Sequence, residues 1–89
     1  MKMGESDWID LKGLYPVGSE VSGKVDRVMP FGLFVSVAGV PDGVFEVDGI
    51  SIGAGGWPCP GDYVRVVVVE QSDHNQELKS VIESFSSSL

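Results

Sequence analysis

At 89 residues the chain has room for one domain, which at that size buries only about 60–65% of the surface its unfolded form exposes. An apolar fraction of 43% with 21% charged residues is that of a folded globular domain and argues against disorder. Thirteen acidic against six basic residues give a net charge of −7, which argues against indiscriminate electrostatic attraction to nucleic acid. The single cysteine, Cys59, excludes an intrachain disulfide. No apolar run approaches the roughly 18–20 residues of a membrane span, and Met1–Asp7 lacks the apolar stretch of a secretory signal. The expected setting is the cytoplasm, away from membranes.

Residues 1–7 read as a loose leader. Trp8, Ile9, Leu11 and Leu14 then carry a helical spacing over one or two turns, with Ser6 or Asp7 as N-cap and an end near Gly13. Trp8 and Leu11 are expected to plug one end of a barrel, so that residues 1–13 form a leader and helical turn, 14–85 the barrel, and 86–89 a fraying tail. Pro16 and Gly18 stop any longer helix.

From Val17 to Val28 the pattern has period two, with Val21, Gly23 and Val25 on one face and Ser22, Lys24 and Asp26 on the other. Gly23 marks a sharp bend. A second strand over 31–37 turns Leu33, Val35 and Val37 inward and Phe34 and Ser36 outward. Pro41-Asp42-Gly43 is a turn by its chemistry, and Val44–Val47 returns as a short strand with Phe45 and Val47 inward and Glu46 outward. Residues 48–62 hold five glycines and two prolines and are not regular throughout. Tyr63–Glu70 forms a fourth strand facing inward at Val64, Val66 and Val68, and Leu78–Phe85 a fifth beyond a polar turn at Ser72–Asn75. There is no internal repeat. Five short strands with a bent first one point to a small closed barrel, in which no sheet edge is left exposed. Periodicity alone leaves an SH3-like barrel open.

Val17-Gly18-Ser19-Glu20-Val21-Ser22-Gly23-Lys24-Val25 and Phe31-Gly32-Leu33-Phe34-Val35 resemble the S1 RNA-binding domain. Gly43–Val47 and Pro60-Gly61-Asp62-Tyr63-Val64-Arg65-Val66-Val67-Val68 continue the likeness in order, over about residues 14–83. The resemblance implies an all-β, five-stranded oligonucleotide-binding (OB) barrel whose RNA face carries two Phe, one His, one Asp and one Arg. Phe31 and Phe34 match the two Phe, and Asp73 the Asp. Glu46 stands at the His position and Glu77 at the Arg position, or Lys79 if the last turn is longer, so this face keeps its aromatic residues while its cationic positions become acidic.

Phe34 is the foremost candidate, since an outward ring mid-strand offers a base a stacking surface worth about 1–3 kcal/mol. Phe31 joins it if a bulge at Pro30–Gly32 brings both rings to one side, and otherwise caps the barrel mouth. Trp57 either adds a third surface or folds onto the core. Lys24, Arg27, Arg65 and Lys79 are the basic residues on predicted strands and either converge on Phe34 as a phosphate track or scatter. Val67 and Val69 make strand four apolar on both faces, which calls for cover by the N-terminal turn or for a protein contact.

Cys59 and His74 are too few for a four-ligand zinc site, and no nucleophile elbow, phosphate loop or paired-carboxylate motif occurs. The expectation is a non-enzymatic module with no cofactor and no metal. It binds single-stranded RNA weakly by stacking with few phosphate contacts, and is a monomer. The alternative is a protein-interaction module that kept the barrel and uses Glu46 and Glu77 toward a basic partner.

Overall fold

The computed structural model describes residues 3–48 and 58–86, apart from the side chains of residues 85 and 86. Helix α1 spans Glu5–Leu14, and strands β1 to β5 span Glu20–Met29, Gly32–Ser36, Phe45–Asp48, Tyr63–Ser72 and Glu77–Ser86. The strands close in the order β1-β2-β3-β5-β4, antiparallel except for β3 against β5. This is the five-stranded closed barrel of the OB-fold.

Alternation dictates the interior. Val21, Val25, Leu33, Val35, Phe45, Val47, Val64, Val66 and Val68 are all buried, and Trp8 and Leu11 of α1 complete the core. Barrel closure depends on β1, which pairs with β4 over Glu20–Lys24 and with β2 over Lys24–Met29. The strand bends at Gly23, where an added Cβ would stand 2.6 Å from both the Ser36 carbonyl oxygen and Val35 Cγ1. The register then slips by one residue between Val25 and Arg27. The bulge thus falls at Asp26 and not at Pro30–Gly32, and Phe31 sits with Pro30 in the tight link between β1 and β2.

A distant turn meets β1 beside the slip. Cys59-Pro60-Gly61-Asp62 forms a type II turn, with the Asp62 N–H donating to the Cys59 carbonyl at 2.9 Å and Gly61 at φ 95°. The Asp62 carboxylate accepts from the Cys59 N–H at 2.8 Å. Gly61 N–H donates to the Val25 carbonyl and Val25 N–H to the Asp62 carbonyl, both at 2.9 Å, so this turn takes the backbone groups of β1 at the bulge.

Helix α1 begins earlier than Ser6 or Asp7 would have it. Its N-cap is Gly4, which makes no side-chain cap bond. The Gln76 side-chain amide clamps Met3 on both sides, accepting from its N–H at 2.6 Å and donating to its carbonyl at 3.0 Å, so the chain enters the helix directly from that clamp. At the other end Gln71 Nε2 donates to the carbonyls of Lys12 and Tyr15, each at 3.0 Å, which satisfies orphaned acceptors of the last turn. The helix therefore runs ten residues, through Gly13, rather than one or two turns.

Val69 is exposed, as its outward parity predicts, and it is the extra residue where β4 slips against β5 between Val68 and Glu70. Strand β5 includes Ser86, one residue beyond the expected barrel end, while Trp57 and residues 87–89 lie outside the described residues.

Because the obstructing atoms at Gly23 include a backbone oxygen, Gly23→Ala should force β1 and β2 apart and cost about 1–3 kcal/mol. Chemical denaturation should show a lower midpoint at an unchanged slope.

Candidate nucleic-acid interface

The register sets one continuous row of outward side chains around the barrel. Arg27 on β1 stands opposite Phe34 on β2, Phe34 opposite Glu46 on β3, Glu46 opposite Lys79 on β5, and Lys79 opposite Glu70 on β4. Phe34 is half-buried, and the Arg27 guanidinium lies 5.3 Å from its ring centroid. Phe31 is 59% exposed at the β1–β2 link, three positions before Phe34.

The bulge at Asp26 makes Lys24 and Arg27 successive outward residues of β1. Lys24 also carries its ammonium over an aromatic ring, 5.0 Å from the centroid of Tyr63. Two cation-capped rings therefore flank β1, Phe34 on one side and Tyr63 on the other, with Arg65 the next outward residue of β4. An exposed cation–π contact is worth about 0.5–1 kcal/mol and a stacked base about 1–3 kcal/mol.

The opposite flank of Phe34 is electrostatically closed. Lys79 Nζ lies 3.0 Å from Glu46 Oε1 and 4.0 Å from Glu77 Oε1, and both carboxylate side chains are largely shielded from solvent. Burial, together with repulsion by and hydrogen bonding to Glu46, pushes the Glu77 carboxyl above the ordinary carboxylate range, against the pull of Lys79 and Asn75. The hydrogen bond to Glu46 raises Lys79 above its usual value. Lys79 is thus the cation of a carboxylate lock.

Asp73 is engaged elsewhere. Its Oδ1 accepts from Trp8 Nε1 at 2.9 Å and pairs with Lys12 Nζ at 2.6 Å, pinning α1 to the β4–β5 turn. Those two hydrogen bonds, Lys12's first, hold its carboxyl below the usual range. Of the residues singled out from sequence, the structure therefore gathers Phe34, Arg27 and Lys24 around β1, sets Phe31 at the rim, puts Arg65 beyond Tyr63, ties Lys79 to Glu46 and Glu77, and gives Asp73 to the helix. Tyr63 was not foreseen. Its outward position opposite inward Val64 is readable from alternation, whereas its partnership with Lys24 depends on the β1–β4 register.

Among the described residues no group of three or more His, Cys, Asp and Glu side chains is arranged to hold a metal ion. Cys59 and His74 are both exposed.

No family model matches the chain. Over 50 residues, 56% of its length, it is 42% identical to a 4-hydroxy-3-methylbut-2-enyl diphosphate reductase from Clostridium acetobutylicum, and the match spans 8% of that protein. The structure is similar to the solution structure of GSP13 from Bacillus subtilis, with a TM-score of 0.59 and 23% sequence identity. That likeness covers 76% of this chain and 54% of GSP13, so the chain spans about half of that protein's length, and it bears out the small OB barrel.

Glu46→Gln removes a neighbouring negative charge and leaves Lys79 to Glu77 alone. Both changes favour the Glu77 carboxylate, so its titration midpoint should fall toward the ordinary glutamate range, as followed by carbon NMR of the side-chain carboxyl.

Proposed function

We propose that this barrel binds single-stranded nucleic acid, RNA foremost, by stacking bases on Phe34 and Phe31 while Arg27 and its neighbours meet the phosphates. The observation that supports this reading best is the Arg27 guanidinium resting on the Phe34 ring, a stacking surface and a phosphate ligand in one cross-strand pair. The OB barrel supplies a curved outer face suited to a single strand, and stacking tolerates any base because every base has a π-face. Sequence readout is accordingly slight.

The binding is weak in the isolated domain. Net charge is −7, and Glu46 beside Phe34 opposes a phosphate lying across the ring. The chain acts without catalysis as a cytoplasmic monomer, a module that brings RNA to a larger assembly. A match confined to 8% of a much longer enzyme is in keeping with such a modular unit.

A second reading is favoured by the lock on the other flank of Phe34, where Glu46 and Glu77 hold Lys79. There the barrel is a protein-interaction module whose acidic, aromatic face receives a basic partner.

Amide-shift titration with a short single-stranded RNA at two salt concentrations separates the two. Two or three phosphate contacts give log K a slope against log[salt] of about −1.5 to −2, with Kd on the order of tens of micromolar near physiological salt. Phe34→Ala should weaken binding about tenfold or more. Absence of any shift at Phe31, Phe34 and Arg27 even at low salt would overturn the nucleic-acid reading and leave the interaction module.

A further inference from the structure

Beyond the Phe34 platform, the outer face of β1 and β4 holds a depression of about 610 Å³ lined by Ser22, Lys24, Ser36, Tyr63, Arg65 and Ser84, among others. That is a size suited to a small organic ligand. The pairing assembles it. Ser22 lies opposite Arg65, Lys24 opposite Tyr63 on one side and Ser36 on the other, and Arg65 opposite Ser84.

The charge distribution singles out this place. Among the described residues, Lys12 is held by Asp73, and Lys79 by Glu46 and Glu77. Lys24, Arg27 and Arg65 have no carboxylate within ion-pair distance, and all three project from β1 and β4. Among the described residues of this chain of net charge −7, the cations outside ion pairs thus gather on one strip. Glu83, on β5 next to Ser84, lies close enough to Arg65 to feel its charge, while its contact with Glu20 raises its carboxyl above the ordinary range.

Two cations and three hydroxyls suit a phosphate, which accepts hydrogen bonds at every oxygen. Tyr63, 56% exposed with Lys24 parked over its ring, supplies a planar apolar surface beside them. An anionic ligand that also carries a flat aromatic group uses both halves.

We propose that this depression is a nucleotide site distinct from the Phe34 platform. The phosphate sits between Lys24 and Arg65 and accepts from the hydroxyls of Ser22, Ser36 and Ser84, while the base stacks on Tyr63. Lys24 leaves the ring for the phosphate as the base arrives, and stacking outweighs the exposed cation–π contact it replaces. A free mononucleotide satisfies the site, and so does one unit of a strand that has passed Arg27, the next outward residue of β1.

The test is an amide-shift titration of the full chain at low salt, with adenosine 5′-monophosphate and inorganic phosphate in separate arms. Saturable shifts are expected at Ser22, Lys24, Ser36, Tyr63, Arg65 and Ser84 in both arms, with the nucleotide bound at least tenfold more tightly. Tyr63→Leu, at an exposed position, should lower nucleotide affinity to that of phosphate, and Arg65→Gln should weaken both ligands several-fold. Equal affinity for the two ligands, insensitivity of nucleotide binding to Tyr63→Leu, or no saturable shift in the depression would overturn the proposal. A single-stranded RNA arm separates it from the Phe34 reading. Shifts in the depression without any at Phe34 sustain this site and sink the platform, and shifts at Phe34 alone do the reverse.

Discussion

Strand β1 has to serve two sides of a barrel too small for a straight strand to span. It does so by passing within contact distance of β2 at Gly23 and then shedding one residue from the ladder at Asp26. Bending a strand this way costs backbone pairing at the corner, and the type II turn at Cys59–Asp62 restores it through the N–H and carbonyl of Val25. Turn, bulge and bend form one unit. Loosening any of them shifts the register of β1 against β2, and a shift of one residue turns inward side chains outward.

The outer surface follows from the same bend. Without the slip at Asp26, strict alternation would place Arg27 on the inward series with Val25. With it, a cation stands over each of the two rings that flank the strand, Phe34 at 5.3 Å and Tyr63 at 5.0 Å. Closure of the core and arrangement of the candidate interface are therefore a single geometric event. On the far side of Phe34 one ammonium, Lys79, is shared by two carboxyl groups, Glu46 and Glu77, so the face is polarised, cationic toward β1 and acidic toward β3.

How much of this was legible beforehand divides by the range of the interactions. The inward set of valines, with Leu33 and Phe45, could be read from alternation because each residue's face depends only on its neighbours in the strand. Gly23 as the bend and Trp8 with Leu11 as the plug were readable from residue type and spacing. A bulge at Pro30–Gly32 is only one of two readings of Phe31 from local composition, and the bulge lies instead at Asp26, beside a residue bonded to a turn more than thirty positions away in sequence. The helix start was misplaced for a similar reason, since Gln76 fixes Met3 across the fold. Pairings such as Arg27 with Phe34, Lys24 with Tyr63 and Asp73 with Trp8 depend on register or docking, which no single segment encodes.

Helix α1 is attached in an unusual way. Among the described residues, its side-chain hydrogen bonds with Gln71, Asp73 and Gln76 all reach the end of β4 and the turn that follows it, while its apolar side rests on the core through Trp8 and Leu11. Gln76 itself holds a left-handed backbone at φ 53°, a conformation a glycine would adopt with less strain, and in return its amide grips Met3 twice. No strand pairing passes through the helix. The polar anchoring of the helix therefore rests on one hairpin tip, so a change at Gln71, Asp73 or Gln76 would loosen the plug without breaking a single strand pairing.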